Sequence, residues 1–431
     1  MKTKSKFLLP ILLFSLIALP SLSQPIFNLT GEFRPRIEFR HGYKSLADSG
    51  ADAGLFVTQR TRLNLSYTTT KIKSYLSFQD IRTWGSTSQQ NTADGFLSVH
   101  EVWVEYFFCK NFSMRSGRQE LDYDDARILG NADWGQAARS HDIALFKWKP
   151  DSLTMIHAGF AFNQNMEQFN TNYYSVPGNY KSMQYLWLNR KFKKLNVSVL
   201  VLNNGIQSPA NKNYSRYSQT AGTHTEYKNG SFAAMLNVFY QTGEDAVKKN
   251  LAAYLCGGEI SYTVKKQMLL LAGVEMQSGQ SQTDTSNAYT KVDHVFTPLY
   301  GTNHKFNGYM DYFYAGNSHG NVGLQDIYGK IRFTLNKFSV QADIHLFSSA
   351  ANVLDKTNFI ESGEYKSLNS SLGMEPDLTV KYKLSDIATV QLGYAIMLAT
   401  STMEAIKTGD KNENNQWAYL QITFKPTFMK N

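Results

Sequence analysis

From Phe27 to Arg40 the chain alternates with a period of two. In FNLTGEFRPRIEFR, Phe27, Leu29, Phe33, Ile37 and Phe39 share one parity, and Glu32, Arg34, Arg36, Glu38 and Arg40 hold the other. A helix would mix these sets around its circumference, whereas a strand puts them on opposite faces. Pro35 interrupts the apolar side, since proline withholds a ladder donor. The same texture returns in VTQRTRLNLSY (57–67), HEVWVEYF (100–107), DIYGKIRFTL (326–335), PDLTVKYKL (376–384) and WAYLQITF (417–424).

Connections between these runs also alternate. Eight are short: 68–71, 109–111, 149–152, 191–195, 228–230, 264–267, 335–337 and 384–386. Nine are long and polar: 41–55, 84–96, 122–140, 166–179, 206–217, 244–249, 279–321, 349–370 and 401–414. Together they predict about eighteen strands of roughly ten residues, with both termini on the short-turn side. A soluble sandwich would use shorter strands, and a propeller would repeat about every 40 residues. Aromatics gather at strand ends (Tyr106, Phe107, Phe108, Trp148, Phe424, Phe428), as an interfacial girdle requires. The expected fold is all-β: one transmembrane antiparallel β-barrel over residues 24–431, with short periplasmic turns and long extracellular loops.

Residues 1–23 supply the address. Lys2, Lys4 and Lys6 precede an apolar stretch from Phe7 to Leu19, and Ser21 and Ser23 sit at −3 and −1 of a cut before Gln24, the pattern of a signal peptide. Cleavage would leave 41 basic against 35 acidic residues. The remaining chain has no apolar run of about 18 residues, which excludes a helical membrane protein. Two cysteines in 431 residues exclude a disulfide scaffold, and Cys109 and Cys256 are expected to stay unpaired. Aromatic content of 13% without overall hydrophobicity suits many half-buried strands.

The polar parity decides orientation. Turning Arg34, Arg36, Arg40, Arg60 and Arg62 toward lipid would cost roughly 10 kcal/mol or more, comparable to a whole protein's stability. These arginines therefore face the lumen. A barrel of 16–18 strands is too wide for its own side chains to fill, so passage rather than catalysis is the expected activity. Lys330, Arg332 and Lys381 extend the basic lining, and Glu32, Glu38, Glu101, Glu105, Glu375 and Asp377 are the lumenal acids. A wall richer in base than acid favours anions, and arginine grips carboxylates through paired hydrogen bonds. Bracing salt-bridge ladders are the competing role for the same residues.

RTRLNLSY (60–67), SFQDIRTWG (77–85), HEVWVEYF, GRQELDYDDARILGNADWGQAARSHD (117–142) and GMEPDLTVKY (373–382) resemble the alginate export family of outer-membrane β-barrels. GRQEL, RILGN and DW carry the specificity. The resemblance implies an eighteen-stranded barrel with an electropositive constriction that passes a polyuronate. By motif it adds Arg115, Arg118, Arg127 and Arg139 to Arg60 and Arg62 as solute contacts. Arg115 and Arg118 have opposite parity, so a bulge at Gly117 is needed for both to face inward. Loop 122–140 is placed either folded into the pore or on the surface. In the long segment 279–321, Tyr309, Tyr312, Phe313 and Tyr314 are candidates for stacking on sugars.

Other chemistry is not indicated. His141 and Asp142 are neighbours on one strand and point apart, so they cannot act as a dyad. No HExxH helix or CxxC pair is present among the nine histidines, so no cofactor is expected, and a weak metal site at His294, His304 and His319 of the long segment is the one alternative left open. A sequence pI of 9.1 invites nucleic acid, but export and a lumenal placement of the charge argue against it. The expected partners are outer-membrane lipid, an anionic oligosaccharide or small anion, and periplasmic secretion components. A general diffusion porin and a membrane-embedded hydrolase are the rival functions.

Overall fold

The computed structural model describes residues 25–91, 95–209, 211, 213–245, 247–313 and 320–431. The leader 1–23, Tyr314 and His319 lie outside the described residues. Within them, eighteen strands close into an antiparallel barrel. In chain order these are β1 Ile26–His41, β2 Gly54–Thr68, β3 Ile72–Thr83, β4 Leu97–Cys109, β5 Phe112–Gln119, β6 His141–Trp148, β7 Thr154–Phe162, β8 Ser182–Lys191 and β9 Leu195–Gln207. They continue with β10 Ser215–Asn229, β11 Phe232–Glu244, β12 Asn250–Val264, β13 Met268–Gln277, β14 Leu324–Leu335, β15 Phe338–Ser348, β16 Ser371–Lys383, β17 Ala388–Ile396 and β18 Gln416–Phe424. Each strand pairs with the next, and β18 pairs with β1 to close the ring. After Pro426 the segment Thr427–Lys430 resumes pairing with β1. Pro35 sits in β1 opposite Gln59 without breaking register.

The outer face is what lipid demands. Leu63, Val104, Leu186, Val201, Leu236, Val238, Ile260, Ile331, Ile344 and Leu420 stand exposed on it. Tyr67, Tyr106, Trp148, Tyr262, Phe333 and Tyr382 ring the short-turn end, and Phe162, Tyr217, Tyr240 and Tyr394 the loop end. No helix among the described residues is long and apolar enough to cross a membrane.

The inner face departs from the expected all-polar lining. Along β6, β8 and β9, Ile143, Leu145, Met183, Tyr185, Trp187, Leu200 and Leu202 point inward and are buried. They pack on Leu121, Ile128 and Leu129 of the loop after β5, and on Phe296 of the loop after β13. Loop residues Met310, Tyr312 and Phe313 make a second apolar cluster with Phe347, Met397 and Trp417. Loop 120–140 and the described residues of loop 278–323 thus enter the barrel and supply the partners that an apolar lumenal wall needs. Loop 122–140 lies inside the barrel, not on its surface.

Candidate functional site

Loop 120–140 crosses the lumen and is fastened at both walls. At one wall, Asp124 accepts hydrogen bonds from Trp187 Nε1 at 3.0 Å and Ser198 Oγ at 2.5 Å, and Asp125 accepts one from Asn237 at 2.6 Å. At the other wall the tetrapeptide Asp133–Gln136 meets the arginines of β1 and β2. Arg60 Nη2 lies 2.5 Å from Glu32 and 2.8 Å from Asp133. Arg34 Nη1 is 3.3 Å from Asp133, and Arg62 Nη1 is 3.7 Å away. Gln136 accepts from Arg34 Nε at 3.1 Å, and the Trp134 carbonyl accepts from Arg36 Nη1 at 2.9 Å. Three guanidiniums therefore converge on one carboxylate supplied by the chain itself. Burial alone would raise the Asp133 carboxyl, but Arg60 and then Arg34 outweigh it and hold the group below its usual range.

Two glycines let the inward loops touch. Gly130 N–H donates to the Tyr300 carbonyl at 2.9 Å, and Thr302 N–H donates to that of Ala126 at 2.9 Å. A Cβ on Gly130 would sit 2.3 Å from Thr302 Oγ1, and one on Gly301 would sit 2.3 Å from the Arg127 carbonyl oxygen. Asp124, Ala126, Ala132 and Ala138 all hold positive φ, between 49° and 68°. Such conformations cost of order 1–3 kcal/mol each and persist only where contacts over-determine them.

The basic residues named from sequence divide into distinct settings. Arg60, at 0% exposure, and Arg127, at 1%, are enclosed and touch no open space, which corrects their placement as solute contacts. Arg127 is consumed by Glu275 at 2.5 Å and by Asn303 at 3.3 Å, with Phe306 under its guanidinium. Arg62 is spent on Gln79 and Asp133. Arg118 is a second correction. The β4–β5 register runs through Gly117 without a bulge, so Arg118 lies on the outer face with Val102 and pairs Asp142 at 2.9 Å. Arg115 points inward over Trp103 and binds Glu105, which Lys147 also reaches. His141 faces inward against Tyr180 while Asp142 faces out, so the neighbours are on opposite sides of the wall.

The remaining bases line open volume. On the loop side a cavity of about 300 Å³ is bordered by Arg36, Arg40, Lys44 and Arg139, with Asp311 its single acid. On the short-turn side a cavity of about 700 Å³ is bordered by Lys266, Lys305, Arg332 and Lys381 and by no acid. Trp134, Thr302 and His304 border both. His304 stacks on Trp134 with 4.3 Å between ring centroids, and its Nδ1 lies 2.7 Å from Asp311. Arg34 and Lys381 also face a smaller cavity that Asp133 borders. Lys330 is partly neutralised by Asp343 at 3.6 Å.

Among the lumenal acids, Glu32 and Glu38 serve the arginines of β1 and β2, and Glu38 additionally accepts from Trp417 Nε1 at 3.1 Å. Glu101 accepts from Trp103 and from the Glu120 amide. Glu375 and Asp377 are covered by loop 278–323 and do not face open volume as expected of counter-charges there. Of the loop aromatics, Tyr312 and Phe313 are buried and unavailable to a sugar, while Tyr309 borders the short-turn cavity. Lys44, Lys266 and Lys305 were not singled out from sequence. Lys44 and Lys266 sit in connections with positive φ, at 68° and 62°, where no strand parity applies.

An inward-folded GRQEL-to-DWGQ loop locked onto RxR pairs of the first two strands accounts for the most specific sequence segments, and residues 26–418 match the alginate export family. The chain belongs to the alginate export family. No curated protein matches it. Among solved structures it is similar to OpdK of Pseudomonas aeruginosa, with a TM-score of 0.60 and 11% identity over 94% of this chain and 100% of that one. OccAB1 of Acinetobacter baumannii gives 0.61 and 10%, over 94% of this chain and 97% of that one. At such identity the likeness speaks to the barrel alone. As a member of the alginate export family with a closed porin-type barrel, the protein is a channel of the Gram-negative outer membrane.

Proposed function

We propose that this channel passively conducts anionic solutes, with acidic oligosaccharides of the polyuronate class as the favoured cargo. The observation that carries this reading is the pair of cavities meeting at Trp134, Thr302 and His304, bordered by eight basic side chains and one acid, with Glu38 behind Arg36 and Arg40 as a second acid. Low-dielectric walls focus the field of such a lining and raise the local concentration of anions. Tyr309 beside Lys305 and Lys381 combines a ring with cations, which suits a carboxylated sugar. The pathway runs past the β1–β2 arginine seam, whose carboxylate partner is already in place. The leader 1–23 fits delivery across the inner membrane, and any periplasmic secretion component would be met at the short-turn rim. Nothing in this reading calls for covalent chemistry.

Reversal potentials in planar bilayers under a salt gradient test it. The wild-type channel is expected to prefer chloride over potassium, and oligoguluronate added to one side should block the current. Replacing Lys305, Arg332 and Lys381 together with Gln should move the reversal potential toward the cation side and weaken the block. A cation-preferring wild-type channel overturns the proposal.

A further inference from the structure

Where β14, β15 and β16 meet loop 278–323, the wall becomes densely acidic. Asp326, Asp343, Glu375 and Asp377 have exposures of 1%, 4%, 0% and 3%. Register brings them together, since Asp343 pairs with Asp377 across the ladder and His345 pairs with Glu375. The nearest ammonium is Lys330, 3.6 Å from Asp343 Oδ2. Four buried carboxylates against one lysine leave an excess of negative charge that burial does not tolerate without compensation. Asp343 Oδ1, Glu375 Oε2 and both oxygens of Asp377 are buried and accept from no N–H, while Glu375 and Asp377 lie within reach of one another and Tyr309 within reach of Asp343.

The imidazole is poised. His345 Nδ1 lies 2.8 and 3.0 Å from the Asp326 carboxylate, which can only accept, so Nε2 is the ring nitrogen left for another partner. A carboxylate holding one ring nitrogen so that the other can bind is the usual support of a metal-ligating histidine. One donor atom each of Asp343, His345 and Asp377 lies within 4.8 Å of the other two. The other three-donor group among the described residues, His100, Glu101 and Glu120, differs. Its acceptors are engaged by Trp103, the Glu120 amide and Asn131, and His100 bonds Glu120 directly.

We propose that Asp343, His345 and Asp377, with Glu375 alongside, bind one divalent transition-metal ion of the Mn²⁺ or Zn²⁺ class. Carboxylates with one imidazole suit these ions better than Ca²⁺ or Mg²⁺, which take oxygen donors. The ion would neutralise the acids and fasten loop 278–323, because Glu375 Oε1 also accepts the Met310 N–H at 2.8 Å. Its site thus stiffens the loop that borders the solute pathway, without lying in the pathway.

The test uses the full chain folded in detergent and stripped with EDTA, its folding checked by heat-modifiable gel migration. Titrated Mn²⁺ followed by electron paramagnetic resonance should show one bound ion per chain, released by Zn²⁺. Asp377→Asn should weaken binding at least about tenfold, as should Asp326→Asn, which leaves all three ligands in place. Asp386→Asn, in an exposed turn, should change nothing. If Asp377→Asn does not fold, Asp326→Asn decides. Absence of stoichiometric binding, or equal binding by Asp326→Asn and Asp386→Asn, overturns the proposal and means that shared protons neutralise the acids. Bilayer selectivity is a separate readout, so failure here leaves the anion pathway standing.

Discussion

Asp133 supplies a carboxylate from the chain itself to Arg34, Arg60 and Arg62. The Asp133 side chain is 42% exposed and Glu32 stays beside Arg60 and Arg34, so losing Asp133 should cost less than the about 3–5 kcal/mol of a fully buried pair. With its folded value below the ordinary carboxylate value of about 4, the stabilisation from Asp133 is complete above that pH and fades as pH falls through the depressed value. A nitroxide at Ala137→Cys, with Cys109 and Cys256 changed to Ser, should therefore be immobile at neutral pH and gain mobility below about pH 4. Asp133→Asn should show the mobile spectrum at both pH values. An acid-insensitive spectrum would mean that the seam does not depend on this carboxylate.

At the scale of elements, the two inward loops act as one crossbar, joined backbone to backbone around Gly130 and Gly301. Ala there would place its Cβ 2.3 Å from the Arg127 carbonyl oxygen, an atom with no freedom to yield. Gly301→Ala is expected to cost about 1–3 kcal/mol at that contact and to raise single-channel conductance while the barrel still forms. Unchanged conductance would show that the loops do not limit flow. Strands, turns and loop order were legible because each follows from a local period of two. The crossbar was not, since Asp133 and Arg34 lie 99 positions apart and no local pattern links them. A sign was nonetheless present. HDIALFKW and SMQYLWLN carry apolar residues on both parities, the mark of strands buried from both sides.

For the whole molecule, the outward faces must meet hydrocarbon through the middle of every strand. Val238 stands 41% exposed near the centre of β11. Val238→Arg should lower stability by about 2–4 kcal/mol in urea titrations from lipid vesicles, whereas the same change at an exposed turn residue such as Ser385 should have little effect. Parity predicted this outer surface well, because water and lipid sort side chains on every strand alike. It predicted the basic pathway less well. Arg36, Arg40, Arg332 and Lys381 were found by alternation, but Lys44, Lys266 and Lys305 belong to connections, where tertiary packing alone decides direction.

The seam between β1 and β18 joins Arg36 to Gln421 and Arg40 to Trp417. The ring consequently does not exist until Gln416–Phe424 has been made, because β1 waits for β18. Until then the nascent polypeptide carries two unpaired hydrogen-bonding margins, a template for clumping. Whatever escorts it through the periplasm must shield both margins at once, and a message truncated before Trp417 yields a product that no amount of waiting can zip shut.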